Sequence, residues 1–467
     1  MRTCAQRVLI LVPGTSNGLS IMRIGIAQVD FTPPAGLPLM GNFRDDYLAR
    51  GVHDPLRAKA VVFEDARGTR AAVLALDLCM VDRDNVELVR RVVGASSRVP
   101  PENVLVHATH THSAPAPSAR FLLGLDYEPY RGAVQAVLTQ AATAVAAAER
   151  ELAEGGLSVG YSQESRLSFN RRLRRQDGST QMNWEALAPG FDPGQVAGAW
   201  GPIDPRVAAV AIEREGQPVA GLVNFALHPA ILAGDNWLYS ADYPGALAEA
   251  LGRIQGDPFT TVFLNGCCGN VNHVDYRNAN QGRGFGMVER VGYMLAAAAS
   301  EALRSRTPVA GDLVAVCRRK VSLPRMQISD EEKRRCEAVV AETAAHPLQG
   351  LVDGLPEAHF ANTRLAMYRV QDQPDEVEVL ALRVGELAIV GLPGEIFCEL
   401  GMEIRRRSPA PHTLVVELSG DAIGYIPAGD SFCHGGYEVT VGSTFYKPGA
   451  GEKLVDSALA QLQELFV

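Results

Sequence analysis

The chain has 467 residues, 47% apolar and 21% charged, with 45 glycines, 28 prolines and a formal net charge of −9. That length fits one large domain or two intimate ones, and the glycine and proline content implies a loop-rich α/β or β-rich enzyme. The acidic balance, with no long Lys/Arg run against it, argues against nucleic acid as a partner, and no apolar run reaches the ~18 residues of a spanning helix.

Eight cysteines are scattered without a CxxC framework, and Cys267 and Cys268 are adjacent. They read as reduced and buried, which favours a cytoplasmic location. Residues 1–22 carry a short apolar run, Val8 to Val12, behind Arg7. This segment reads as an N-terminal extension, although its faint likeness to a signal sequence leaves secretion open. Residues 23–467 are expected to form a single large domain.

In chain order, Arg23 to Val29 reads as the first strand. Leu56 to Glu64 and Thr69 to Leu76 form a hairpin about Asp65-Ala-Arg-Gly68. Val86, Leu88, Val89, Val92 and Val93 give residues 82–93 the period of a surface helix. Val104 to Val106 is a buried strand, and Pro129 to Leu152 a long Ala/Val-rich helix. Strands follow at Leu157–Tyr161, Val207–Glu213 and Val219–Leu227. A helix runs from about Ala241 to Leu251, then come a strand at Thr260–Leu264 and a helix at Gly286–Leu303. Residues 308–375 change character, with a strand at Leu313–Arg318 and a charged helix at Ser329–Thr343, and read as an excursion over the core. Val377 to Val390 returns to a hairpin, Gly391-Leu-Pro-Gly-Glu395 turns into a helix through Arg406, Thr413–Leu418 is a strand and Lys453–Leu465 the closing helix. There is no repeat of solenoid period. The fold class is α/β, a mixed sheet core flanked by helices.

Chemistry concentrates where strands open into loops. Val104-Leu-Val-His-Ala-Thr-His-Thr-His-Ser113 delivers His107, His110 and His112 together, and Leu222-Val-Asn-Phe-Ala-Leu-His-Pro229 ends its strand in His228. A histidine in that position has a fixed backbone and an exposed ring, which suits a metal ligand. His110 and His228 on one zinc ion is therefore the starting hypothesis. If strand geometry persists, His110 and His112 face one side about 6–7 Å apart, one as ligand and the other reaching substrate or water. Thr109, Thr111 and Ser113 are expected to orient the imidazoles; Ser113 lacks the Gly-x-Ser-x-Gly elbow of a nucleophile. Glu395 either caps the helix that follows or completes a His/His/Glu set.

The stretches Thr109-His-Thr-His-Ser113, Asn224-Phe-Ala-Leu-His-Pro229, Ser240-Ala-Asp-Tyr-Pro-Gly245 and Pro393-Gly-Glu395 together resemble the neutral/alkaline ceramidase family, specifically its zinc-dependent N-terminal catalytic domain. The resemblance runs from about residue 23 to the C-terminus and includes no counterpart of the family's C-terminal immunoglobulin-like domain. It implies zinc ligands at His110, His228 and Glu395, with Tyr425 as the tyrosine ligand and Tyr437 the alternative. It also implies active-site roles for His112 and for Arg171, which follows Asn170. Where the family carries a loop serine, this chain has Asn272 in Gly269-Asn-Val-Asn-His273.

On these residues the expected chemistry is amide hydrolysis by zinc-activated water. His112 serves as proton shuttle, and Arg171 or Tyr425 holds the oxyanion. Asn272 contacts substrate or stabilises its loop. The expected substrate is a small-molecule or lipid-like amide, shifted toward soluble amides by the missing serine. A zinc hydrolase of another soluble ester-, glycan- or peptide-derived substrate is the alternative, and a non-catalytic binding protein a further one.

Overall fold

A computed structural model describes residues 22–256, 258–278, 280–352 and 354–467; the expected extension at 1–22 lies outside these but for Met22. The main elements are β1 (Arg23–Asp30), β2 (Arg57–Glu64), β3 (Arg70–Leu76), α1 (Arg83–Ser96), β4 (Val104–Ala108), α2 (Glu128–Arg150), β5 (Gly156–Gln163), β6 (Arg206–Arg214), β7 (Gln217–Phe225), α3 (Tyr243–Gln255), β8 (Thr260–Asn265) and α4 (Gly284–Arg304). The last third adds β9 (Val314–Leu323), α5 (Asp330–Glu342), α6 (Glu357–Tyr368), β10 (Asp375–Val384), β11 (Leu387–Gly391), α7 (Cys398–Arg407), β12 (His412–Val416) and α8 (Ala450–Phe466).

These elements fall into one pattern used three times. Three strands run as an antiparallel meander, a helix crosses over, a fourth strand returns parallel to the third, and a long helix closes the unit. The sheet orders are β4-β3-β2-β1, β8-β7-β6-β5 and β12-β11-β10-β9, and the parallel pairs are β3/β4, β7/β8 and β11/β12. The repeat is far longer than a solenoid period and has no counterpart in a run of similar residues.

Alternation along the strands explains how the sheets pack. On β2, Ala58, Ala60 and Val62 face the core beneath α1 and α2, whereas Val61 and Phe63 face a second core. β6 and β10 divide in the same way: Val207, Ala209 and Ala211 meet α3 and α4, and Val377, Val379 and Ala381 meet α7 and α8. The opposite faces of all three sheets, with Val61, Val210, Leu222, Leu382 and Ile389 among them, share a single interior. The molecule is thus a three-sided prism of sheets with a helix pair on each outer side. Strands covered on both faces read as near-continuous apolar runs, and each large side chain so buried contributes about 1.5–3 kcal/mol. Gly25 on β1 and Gly160 on β5 occupy equivalent places, where a Cβ would strike the main chain of Ala148 on α2 and Ala302 on α4.

Helix starts follow local chemistry. Asp82 accepts from Asn85 N at 3.1 Å to cap α1, and Ser329 accepts from Glu332 N at 3.1 Å to cap α5. The expected excursion at 308–375 contains a complete sheet strand, β9, so the part outside the sheet is 324–374. Its second helix, α6, was not expected, because it buries the contiguous stretch Ala358-His359-Phe360-Ala361 and lacks a clean helical period. Among the described residues no helix is long and apolar enough to cross a membrane.

Candidate metal centre

The parallel strand pairs all end at the same end of the prism, and the loops leaving them supply the site. His110 lies just beyond β4, His228 beyond β7 and Glu395 beyond β11. The three side chains are buried, and their ligand atoms converge. His110 Nε2 is 2.9 Å from His228 Nε2; Glu395 Oε2 lies 3.5 Å from the first and 3.4 Å from the second.

The other ring nitrogens fix the tautomers. His110 Nδ1 donates to Cys79 O at 2.6 Å and His228 Nδ1 to Cys268 O at 3.2 Å. In the neutral form that binds a metal, each imidazole then presents a lone pair at Nε2. Two lone pairs at 2.9 Å repel unless a cation stands between them. Glu395 Oε2, buried and without a hydrogen-bond donor, faces the same point. Zinc bonds of about 2.0–2.1 Å in tetrahedral geometry place ligand atoms about 3.3 Å apart, which these separations match. His110, His228 and Glu395 form a candidate zinc site.

Electrostatics divide the cluster, holding His228 and His112 neutral and His110 charged. Burial, then the nearness of His110 and Arg171, pushes His228 well below 6.5. Burial, then His110 and Arg44, does the same to His112. For His110 burial also opposes a charge, but Cys79 and Glu395 outweigh it and hold the ring well above 6.5. The Glu395 carboxylate thus draws one positive charge into the triad.

Glu395 does not cap a helix. It pairs with Tyr425 in a two-residue parallel ladder, three residues ahead of α7. Tyr425 hydrogen-bonds the Glu395 carboxylate, and its ring packs edge-on to Tyr437 at 5.2 Å. Burial holds the Tyr425 hydroxyl well above 10, against the pull of Arg171. Arg171 lies over both rings, at 5.0 and 5.9 Å, and over Trp184 at 5.3 Å. Its Nε donates to Glu438 Oε1 at 2.6 Å while Arg172 Nη1 takes Oε2 at 2.9 Å. Arg171 Nη2 is buried with no partner.

Strand geometry does not continue through the histidine motif. His110 adopts φ 77°, and this left-handed residue swings the two rings together. His112 Nε2 comes 3.5 Å from His110 Nε2, much closer than an extended chain allows. Gly41, at φ 104°, lies flat against the His112 ring, where a Cβ would overlap it. His107 stays on β4, wholly buried, with its pKa pushed down to about 4 by burial; it does not reach the site. The hydroxyls of Thr109, Thr111 and Ser113 are hydrogen-bonded away from the imidazoles. Thr109 bonds Asp77 at 3.2 Å, Thr111 bonds Ser240 O at 2.6 Å, and Ser113 accepts from Asn236 at 3.0 Å. Thr109 ties the His110 loop to the end of β3, and Thr111 and Ser113 tie it to the segment after His228. That segment is held by Asp242, which accepts from Ile231 N and Leu232 N at 3.1 Å each.

Asn272 lines the cavity beside the cluster, and its amide pairs with Asn183 in both directions, at 2.7 and 2.8 Å. Sequence reading had not singled out Glu438, or Arg44, a buried cation held by the carbonyls of Asn42, His112, Ala233 and Asn236. The main-chain carbonyls that orient the ligands leave no side-chain signature.

A prism of three sheets, contributing one ligand each to a His/His/carboxylate centre, defines a mixed α/β metalloprotein with a mononuclear site. Residues 22–261 match the profile of the neutral/alkaline non-lysosomal ceramidase N-terminal domain, and the chain belongs to that family. It is 23% identical over 510 aligned positions to a neutral ceramidase of Pseudomonas aeruginosa, covering 95% of this chain and 72% of that one. Neutral ceramidase B of Dictyostelium discoideum is 27% identical over 240 positions, 49% of this chain but 31% of the relative's length. The crystal structure of the neutral ceramidase from Pseudomonas aeruginosa superposes with a TM-score of 0.72 at 20% identity, over 96% of this chain and 75% of that one. The shared fold is this three-sheet prism.

Proposed function

We propose that this chain is a zinc-dependent amidohydrolase that cleaves an N-acyl amide bond. The observation that carries the reading is the 2.9 Å approach of two imidazole nitrogens whose other nitrogens are both committed to carbonyls. His110, His228 and Glu395 would hold the ion, and Tyr425, hydrogen-bonded to Glu395, would be a further ligand beside a water. Zinc held by these residues would supply a water whose pKa is lowered from ~15.7 toward ~7 and a Lewis acid for the carbonyl. Hydrolysis adds water across the amide: oxygen joins the carbonyl carbon, the C–N bond breaks, and nitrogen leaves with a proton.

Each remaining side chain has a task in that change. His112, kept neutral by burial and neighbouring cations, accepts a proton at Nε2 and returns it to the leaving nitrogen. Arg171, fixed through Nε by Glu438, offers its unpartnered Nη2 to the developing oxyanion. Asn272 keeps its loop against the cavity through Asn183. Residues 23–467 act as one catalytic domain, a reading supported by the interior all three sheets share. A small-molecule or lipid-like amide is the proposed substrate, and free, largely buried cysteines support a cytoplasmic location. The test is single-turnover hydrolysis of N-acyl amides by the zinc-loaded protein, with His110→Ala as control. Absence of turnover at full zinc occupancy, across aryl, sphingoid and sugar amides, overturns it.

A further inference from the structure

The metal cluster stands between two cavities of unequal size. The larger has a volume of about 460 Å³ and is bordered by His228, Arg171 and Asn272. The smaller, about 90 Å³, is bordered by His110 and Glu395. His112, Tyr425 and Tyr437 line both. A carbonyl carbon seated at the cluster therefore has one substituent directed into each cavity.

Their linings differ in kind. Beyond the cluster and the shared residues, the larger cavity adds Asp235, Asn236 and Arg283 among apolar neighbours. The smaller, which also shares Gly41, Asn42 and Leu355 with it, adds only Phe43, Cys79, Met80 and Phe121, none of them charged. An amine leaves as an ammonium ion and needs polar neighbours, which the larger cavity has. An alkyl chain needs none, which suits the smaller.

Phe121 forms the back wall of the small cavity. Its ring stacks on His359 at 4.9 Å and meets Phe43 edge-on at 6.4 Å. The other side of Phe121 and His359 lines an outer groove of about 860 Å³, so one aromatic layer separates the two spaces. Phe121 also holds φ 69°, a left-handed conformation that a bulky residue rarely adopts.

We propose that the small cavity is an acyl chamber closed by Phe121, and that it makes the enzyme selective for short N-acyl groups. At about 30 Å³ per water-sized group, 90 Å³ admits an acyl chain of about three carbons. The proposal rests on the amidohydrolase reading above and adds the substrate class, short-chain N-acyl amines.

The test uses the zinc-loaded protein and N-acyl derivatives of one fluorogenic amine, with straight acyl chains from acetyl to decanoyl. Binding of the matching carboxylates, acetate to decanoate, is measured in parallel by calorimetry. We expect kcat/KM and carboxylate affinity to peak within the short chains and to fall by about tenfold or more at decanoyl. Phe121→Gly, which suits the positive φ and removes the wall, should move both optima to longer chains by opening the chamber into the groove. Phe121→Leu, a smaller change, should move them less and covers the case in which the glycine variant fails to fold. A wild-type rate and affinity that rise steadily through decanoyl overturn the chamber, as does an unchanged length profile in both folded variants. Carboxylate binding with the short-chain limit but no hydrolysis of any amide supports the chamber and overturns the amidohydrolase reading alone.

Discussion

Replacing Glu438 by glutamine removes the charge from a carboxylate with no exposed surface that serves two arginines. Glutamine keeps one acceptor oxygen and turns the other position into an N–H donor aimed at a guanidinium. One charge-assisted bond is lost, worth about 1.5–3 kcal/mol, and two buried cations are left facing each other. Breaking a buried ion pair from one side costs about 3–5 kcal/mol. Arg172 remains anchored through Nη2 on Ser431 O and Gly435 O, at 3.1 and 2.8 Å; Arg171 keeps a hydrogen bond with Tyr425 and the aromatic faces of Trp184, Tyr425 and Tyr437. The expected stability loss is about 3 kcal/mol, read as a lowered urea midpoint at constant zinc. Displacement of Arg171 should also slow single turnover by about 100-fold, the scale of one lost oxyanion donor, while zinc content holds. A stability change below about 0.5 kcal/mol together with a normal rate would refute the assignment of Glu438 as the residue that positions Arg171.

Elemental analysis should give about one zinc per chain, lost in His110→Ala and in His228→Ala; full occupancy in both variants removes them from the ligand set. His112→Ala should retain zinc and slow single turnover by about 100- to 10,000-fold, and loss of the metal would make His112 a ligand. His359, buried among aromatic rings, has its pKa pushed down from 6.5 to about 4 by burial, with Arg120 adding to the effect. The unfolded chain therefore binds the extra proton first as pH falls, so stability is lost from about pH 6.5 down to about pH 4. His359→Phe should lose about 2 kcal/mol less than the wild type between pH 7 and pH 5; identical pH profiles from urea unfolding would sink the idea.

Strand and helix positions were legible wherever period or capping was strong. The hairpin about Asp65 to Gly68 and the helix capped by Asp82 appear where the residues put them. The ligand triad was legible because each member sits at a strand end in a recognisable setting. What was hidden depends on backbone conformation. Nothing in Thr109-His-Thr announces φ 77° at His110, so extended geometry put His112 too far away. Glu395 read equally well as a helix cap, since its short ladder with Tyr425 spans thirty positions of chain. The same limit applies to Glu438 and Arg171, which lie far apart in sequence and meet only in the folded chain.

The threefold architecture has a consequence for assembly. His110 comes from the first β-β-β-α-β-α unit, His228 from the second and Glu395 from the third. A chain with any one unit undocked offers at most two of these ligands, too few for a closed structural set. Tight ion uptake would therefore require all three units to be docked, and the ion would act as a bolt through all three walls. Withdrawal of the ion would then be expected to loosen the prism at that end, since the apolar interior shared by the three sheets stays in place. The three segments that join first and second strands, residues 31–56, 164–205 and 324–374, supply Asn42, Arg171 and Leu355 to the cavity rim. Rim and bolt thus reside on separate parts of each unit, and the rim can be rebuilt for a new ligand while the bolt stays in place.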